Sequence, residues 1–305
     1  MIKTNERNVD GLNLKIVYLG NLIIGITTDV GPRISYLASA RRPDFNLFRI
    51  LPEGGFETTE GFWKNLGGHR LWSAPESLPR TYSLDDKPIK IEVEPDTITI
   101  YSNPEHKNSI QKEIIIKSIG KMSLQVTHKI KNIGRWPIKL SCWAISAMRQ
   151  NGFAIIPFSP SSISQHGLPP DRHISLWPYT DISDSRLVFD GEYIFIKQNP
   201  KIKKPFKLGT EANPGWVAYW IDGTMFVKKF KEEKQEYPDF NCNVEVYTNP
   251  DILEIETAGP LKIIEPSRYA VHTEIWTVLN VGKLKPESKY VGKISGKLEV
   301  KVSHS

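Results

Sequence analysis

The stretch NVEVYTNPDILEIETAGPLKIIEPSRYAVHTEIWT, residues 243–277, decides the fold. In residues 243–248 the apolar Val244 and Val246 alternate with Glu245 and Tyr247. In residues 253–257 Leu253 and Ile255 alternate with Glu254 and Glu256. This is the two-residue period of a β-strand. The link Asn249-Pro250-Asp251 has turn chemistry, so the two runs predict an antiparallel hairpin. An even-numbered loop puts Glu245, Tyr247, Glu254 and Glu256 on one face; an odd one sets the valines beside the glutamates. Burying ionised carboxylates among valines is costly, so the even register is expected. A third run, residues 271–277, separates His272, Glu274 and Trp276 from Val271, Thr273 and Ile275. Together the three runs predict the floor of a polar cleft, acids, histidine and aromatics on neighbouring strands.

Outward from this stretch the same pattern recurs. Residues 14–39, LKIVYLGNLIIGITTDVGPRISYLAS, read as two strands around Leu19-Gly20-Asn21 and a third from Arg33. Further short alternating runs lie at 88–94, 97–101, 110–117, 121–131 and 136–147. A hairpin is expected about Asp222-Gly223. Residues 45–60 read as loop, broken by Pro52 and Gly54-Gly55, and residues 157–214 as a long irregular region with strands only at 186–189 and 193–197. No segment has a persuasive helical period. The class is therefore all-β: one large antiparallel domain of two broad, curved sheets over residues 1–282, then a lysine-rich extension over 283–305 with one strand at 297–302. The alternative is two smaller sandwiches divided within 157–214.

Composition narrows the function classes. The net charge is +6, but the lysines are scattered and the densest clusters, 201–207 and 228–234, are mixed with Pro, Phe and Glu. That is a solvated surface rather than a nucleic-acid stripe. No apolar run reaches the roughly 20 residues that span a bilayer, and the opening MIKTNERNVDG has no apolar signal core, so a cytoplasmic protein is expected, without membrane contact. The two cysteines, Cys142 and Cys242, adjoin alternating strands and read as buried thiols. Nothing in the sequence sets the oligomeric state.

Four groups could carry chemistry. Gly67-Gly68-His69-Arg70-Leu71-Trp72 combines close backbone approach, a planar fork of donors and a flat indole on which the apolar face of a sugar packs. Leu176-Trp177-Pro178-Tyr179-Thr180-Asp181 lies in a proline-stiffened loop, with Tyr179 and Asp181 as candidate carbohydrate contacts. Tyr237-Pro238-Asp239 leads into the acidic hairpin. The acidic face itself sets Glu254 and Glu256 two apart on one strand, about 6–7 Å by strand rise, close enough for like-charge repulsion to raise one pKa towards the range of a general base. Each group also has a plain structural reading as turn, anchor or solvated sheet face. No H-x-H or H-E-x-x-H spacing supports a catalytic metal, so neither metal nor cofactor is assigned.

The opening VYLGNLIIGITTDVGPRISYL and the closing EIETAGPLKIIEPSRYAVHTEIWTV resemble the galactose mutarotase-like superfamily, which includes aldose 1-epimerases. The resemblance runs over most of residues 12–279, in short matches. It implies a β-supersandwich that binds a small-molecule sugar or sugar derivative and interconverts its anomers. It places Glu256 on the base that takes the anomeric proton, and His69-Arg70 on or beside an Asn-Arg pair that holds substrate. The family's acid is a histidine in a T-N-H-x-Y-F strand. Here that strand is Leu140-Ser141-Cys142-Trp143-Ala144-Ile145, with Trp143 at the histidine position, and indole cannot donate a proton as imidazolium does. The acid would then be His69 or His272, or the protein binds sugar without turning it over. Expected contacts are Arg70, Trp72, Trp143, Tyr179, Asp181, Tyr237, Asp239, Glu245, Tyr247, Glu254 and His272. A glycoside hydrolase or polysaccharide lyase with Glu245 or Glu254 as second carboxylate is the remaining alternative.

Overall fold

The computed structural model describes residues 2–51, 53–160, 168 and 170–294, and its strands pair antiparallel throughout. The acidic hairpin has the expected even register. Val244–Thr248 and Leu253–Ala258 pair with Glu245 opposite Glu256 and Tyr247 opposite Glu254. Val244, Val246, Leu253 and Ile255 turn the other way into the core, where all four are fully buried. Each such side chain contributes roughly 1.5–3 kcal/mol by leaving water. A one-residue slip would lose all four contributions together.

Among the described residues there are two large sheets, of eleven and ten strands. In the first, the order runs from Lys3–Val9 through Leu12–Leu19, Leu22–Thr27 and Arg33–Ser39 to His69–Ala74. It continues with Ile138–Met148, Leu253–Ala258, Val244–Thr248, Phe206–Thr210 and Ser175–Leu176; Lys262–Ile264 also pairs with Ile138–Met148. The second runs from Leu187–Asp190 to Lys90–Val93, with Thr224–Phe230, Tyr269–Asn280 and Ser123–Asn132 at its centre. Leu71, Leu208, Val246 and Ile255 from the first sheet join Ile114, Val126, Phe226 and Trp276 from the second in one buried cluster. This is the large two-sheet antiparallel supersandwich expected from the alternation. Among the described residues helix is confined to short turns at Arg80–Tyr82, Pro238–Asn241 and Ser288–Gly292, and none is long and apolar enough to cross a membrane.

Three expectations are corrected. The run at 271–277 does not continue the acidic floor: it lies in Tyr269–Asn280, at the centre of the other sheet. His272, Glu274 and Trp276 point between the sheets. The segment at 45–60, read as loop, carries Gly55–Thr58, which pairs with Gly61–Lys64 in a hairpin. The irregular region gains Ser175–Leu176 and Phe206–Thr210, the latter pairing with Val244–Thr248 at the cleft. The strand expected at 297–302 lies outside the described residues. Before it, Leu284, Val291 and Ile294 pack with Phe153, Phe195 and Trp216 on the second sheet.

Candidate functional site

Alternation along five adjacent strands builds the site. Arg70 and Trp72 on His69–Ala74 stand opposite Ile145 and Trp143 on Ile138–Met148, and Ile145 stands opposite Glu256. Glu256 faces Glu245, and Glu245 faces Gly209 on Phe206–Thr210. A Cβ at Gly209 would lie 2.7 Å from the Cys242 sulfur and 3.2 Å from Cγ of Glu245, so the row closes only around glycine there. Two residues further along each strand, and so on the same face, Lys207, Tyr247 and Glu254 form a parallel row.

These rows floor a cleft of about 600 Å³. Arg70, Trp72, Trp143, Tyr179, Tyr247, Glu254 and Glu256 line it, as expected from the sequence, and so do Trp63, Glu76, Tyr82, Trp177 and Lys207, which were not among the assigned site residues. Trp63, Trp72, Trp143 and Tyr82 pack edge to face or tilted, with centroids 4.9–5.5 Å apart. The Arg70 guanidinium lies 4.2 Å from the Trp72 ring centre and donates to Glu254 at 2.8 Å.

Lys207 is the centre of the charge arrangement. Its Nζ lies 2.7 Å from Glu245 and 3.0 Å from Glu256, and 4.6 and 4.5 Å from the ring centres of Trp143 and Trp177. Burial works against its charge, yet the two carboxylates hold its pKa well above the ordinary lysine value. Burial likewise raises Glu256 above the usual carboxylate range; Lys207 pulls it back, and Glu254 adds to the rise. Glu245 is raised further still, burial first, with Lys207 opposing and Glu256 reinforcing.

The remaining assigned residues lie elsewhere. His69 neighbours Arg70 in the strand and so faces the opposite side of the sheet, fully buried. It cannot reach the cleft as an acid. His272 comes from the other sheet and meets the back of the Glu256 strand, its Nε2 2.9 Å from the Thr257 hydroxyl. Asp181 is exposed, bonded to Ser183 and 3.5 Å from Lys204. Tyr237 is buried with its hydroxyl accepting the Glu233 N–H, and Asp239 sits in a left-handed turn whose carbonyl accepts the Ser175 hydroxyl. None of these five is among the residues lining the cleft, and Glu245, expected as a sugar contact, is not either: it is buried beside the cleft against Lys207.

Behind the floor lies a sealed polar network. His128 Nδ1 faces the His272 carbonyl at 3.2 Å, which only accepts, so Nδ1 carries the hydrogen. His128 Nε2 then accepts from His69 Nε2 at 2.8 Å, and His69 Nδ1 accepts from Ser146 at 2.9 Å. Glu274 receives Lys228 at 2.8 Å, the Trp276 indole N–H at 2.7 Å and the Thr257 hydroxyl. Lys228 also donates to the carbonyl of Ala144, between Trp143 and Ile145. Burial pushes His128 down to about 4 and His272 down to about 3, so both are neutral near pH 7. His69, His128 and Glu274 bring three donor atoms within 4.8 Å, spacing that a metal ion could use. The two histidine nitrogens are already hydrogen-bonded to one another, and Glu274 is engaged by Lys228 and the Trp276 indole.

Fold and site together define a two-sheet β-supersandwich with an aromatic, acidic cleft on one sheet face. Neither a protein-family model nor a curated protein matches the chain. Solved structures do. A TPR-domain-containing protein from Parabacteroides distasonis is similar over 96% of this chain and 49% of its own, with 12% identity and a TM-score of 0.62. A galactose mutarotase-like protein from Lactobacillus casei is similar over 87% of this chain and all of its own, with 6% identity and a TM-score of 0.56. A Synechocystis protein is similar over 91% of this chain and 96% of its own, with 10% identity and a TM-score of 0.53. This chain spans about half the length of the first of these. At such identities the likeness is one of fold: the chain has the architecture of galactose mutarotase-like proteins.

Proposed function

We propose that this protein binds a free sugar in the cleft between Trp72, Trp143 and Trp177 and interconverts its anomers, an aldose 1-epimerase type of activity. The observation that carries this is a buried carboxylate of raised pKa, Glu256, on a floor walled by indoles. Indole faces suit the C–H faces of a pyranose, and Arg70, Glu254 and Tyr247 offer the donors and acceptors that fix its hydroxyls. Glu256 takes the proton from the anomeric hydroxyl, a donor protonates the ring oxygen, and the bond from that oxygen to the anomeric carbon breaks. The aldehyde turns and recloses on its other face, each proton returning along the same path.

A second reading, sugar binding without turnover, is favoured by one observation: no histidine among the described residues lines the cleft. Hydrolysis is less well supported, because Glu245 and Glu256 are direct cross-strand partners held by one ammonium rather than two carboxyls flanking a scissile bond. The test is anomer exchange followed by NMR over free aldoses and sugar phosphates, alongside quenching of tryptophan fluorescence as the binding signal. Exchange faster than buffer supports the first reading, and quenching without exchange the second. Neither signal with any sugar would sink both.

A further inference from the structure

We propose that Lys207 is the group that protonates the ring oxygen, so that Lys207 and Glu256 act as one donor–acceptor pair. This rests on the epimerase reading of the cleft. The two oxygens to be served hang on a single anomeric carbon and are close neighbours. Glu256 Oε2 and Lys207 Nζ lie 3.0 Å apart, a spacing that lets the acceptor face one oxygen and the donor the other.

The other candidates fail on chemistry. Arg70 is committed to Glu254 at 2.8 Å, and a guanidinium does not release protons. Tyr82 already donates to Glu76, the Tyr247 hydroxyl meets Asn249, and neither Tyr179 nor Tyr247 is hydrogen-bonded to Glu256 as Lys207 is. The indole N–H of Trp143 has no acidity, and His69 and His272 are sealed behind the sheet. Lys207 is the one remaining titratable cation among the described residues lining the cleft. The ring centres of Trp143 and Trp177 lie 4.6 and 4.5 Å from its ammonium, and Glu245 holds it at 2.7 Å.

The same geometry couples the two transfers. At rest two carboxylates stabilise the Lys207 proton. When Glu256 takes the anomeric proton, one of those charges disappears, and the lysine proton becomes easier to release towards the ring oxygen. Ring opening leaves a neutral amine, a neutral Glu256 acid, an aldehyde and a free hydroxyl on the sugar. On reclosure that hydroxyl attacks the carbonyl carbon and returns its proton to the amine, while Glu256 returns its own to the carbonyl oxygen. No atom or electron is left over.

The test compares wild type with Lys207→Arg and Lys207→Ala, using the aldose that the wild type exchanges fastest. Lys207→Arg keeps the positive charge and the ion pairs but cannot give up a proton. Anomer exchange should fall roughly 10²–10⁴-fold in both variants, with tryptophan-quenching affinity for the same sugar changed less than tenfold in Lys207→Arg. Added methylammonium should restore part of the rate in Lys207→Ala, which a purely structural lysine would not allow. Full exchange in Lys207→Arg overturns the assignment while leaving the epimerase reading intact. Equal loss of binding and rate in both variants, with no rescue by the amine, also overturns it, making Lys207 a counter-ion. A wild type that binds but does not exchange removes the epimerase reading itself.

Discussion

Glu245 and Glu256 stand directly opposite one another on paired strands, and a single ammonium, Lys207, lies 2.7 Å from the first and 3.0 Å from the second. Two carboxylates this close do not both stay ionised in a buried site without such a cation. The consequence is a local charge balance that one substitution can tip.

Glu256→Gln keeps the shape and removes the base, while Glu245 still holds Lys207. Anomer exchange should fall roughly 10²–10⁴-fold with sugar affinity largely kept, a loss in kcat rather than KM. Single-turnover NMR on a bound aldose reads this directly. An undiminished rate would remove Glu256 from the chemistry.

The cleft's aromatics should separate by burial. Trp177 is half-buried at the cleft edge, so Trp177→Ala should weaken sugar binding by roughly 0.5–1.5 kcal/mol with little change in Tm. Trp72 is buried against Trp63, Trp143 and Tyr82. Trp72→Ala should instead cost about 3–5 kcal/mol of stability, the usual range for a large core truncation. Isothermal titration and thermal melts on the two variants decide the matter.

Lys228 and Glu274 form a pair with both side chains fully buried. Lys228→Met leaves an uncompensated carboxylate and should destabilise by roughly 3–5 kcal/mol. Adding Glu274→Gln should recover part of that loss, because the stranded charge is gone. Urea melts of the single and double variants measure the difference. Equal stability of the two would show that Glu274 is not ionised behind the sheet.

The pH profile of stability should have its acid flank set behind the cleft. Burial depresses His128 to about 4 and His272 to about 3 in the folded state, whereas the unfolded chain takes up those protons near pH 6.5. The unfolded state therefore binds more protons below that value, and stability is fully present above it and lost as pH falls through 4 and 3. Burial opposes the charge of Glu274, but Lys228 and the two histidines hold it down at about 2, so its contribution is lost last. Melts between pH 8 and 3 should fall steadily below 6.5, and His128→Gln should flatten the upper part of that slope.

What the sequence disclosed was set by how far a two-residue period reaches. It showed which residues share a face, and Glu245, Tyr247, Glu254 and Glu256 do. It could not show which sheet a strand joins, so His272 and Trp276 were drawn to a floor that their strand does not form. Adjacent residues point to opposite sides, and the Arg70 assignment carried His69 with it although the same period separates them. Lys207 was hidden by its neighbours: Lys201, Lys203 and Lys204 make the segment read as surface. Yet Phe206-Lys207-Leu208-Gly209-Thr210 alternates, and a lysine in phase with an acidic face is the signal that was there. Trp63 and Tyr82 come from a hairpin and a helical turn whose approach to the cleft is set by tertiary packing.

The floor of the cleft is joined from strands that lie far apart in the chain, and the Arg70–Glu254 pair alone bridges 184 positions. While the chain is being synthesised, Ile138–Met148 is made long before Leu253–Ala258, the partner on its open side. Until that partner emerges it presents an unpaired apolar edge, Trp143 and Ile145 included, of the kind that invites pairing with another chain. Such non-local pairing makes for slow folding. The cleft is thus among the last features to exist, and a nascent chain stopped before residue 253 holds the aromatics without the base.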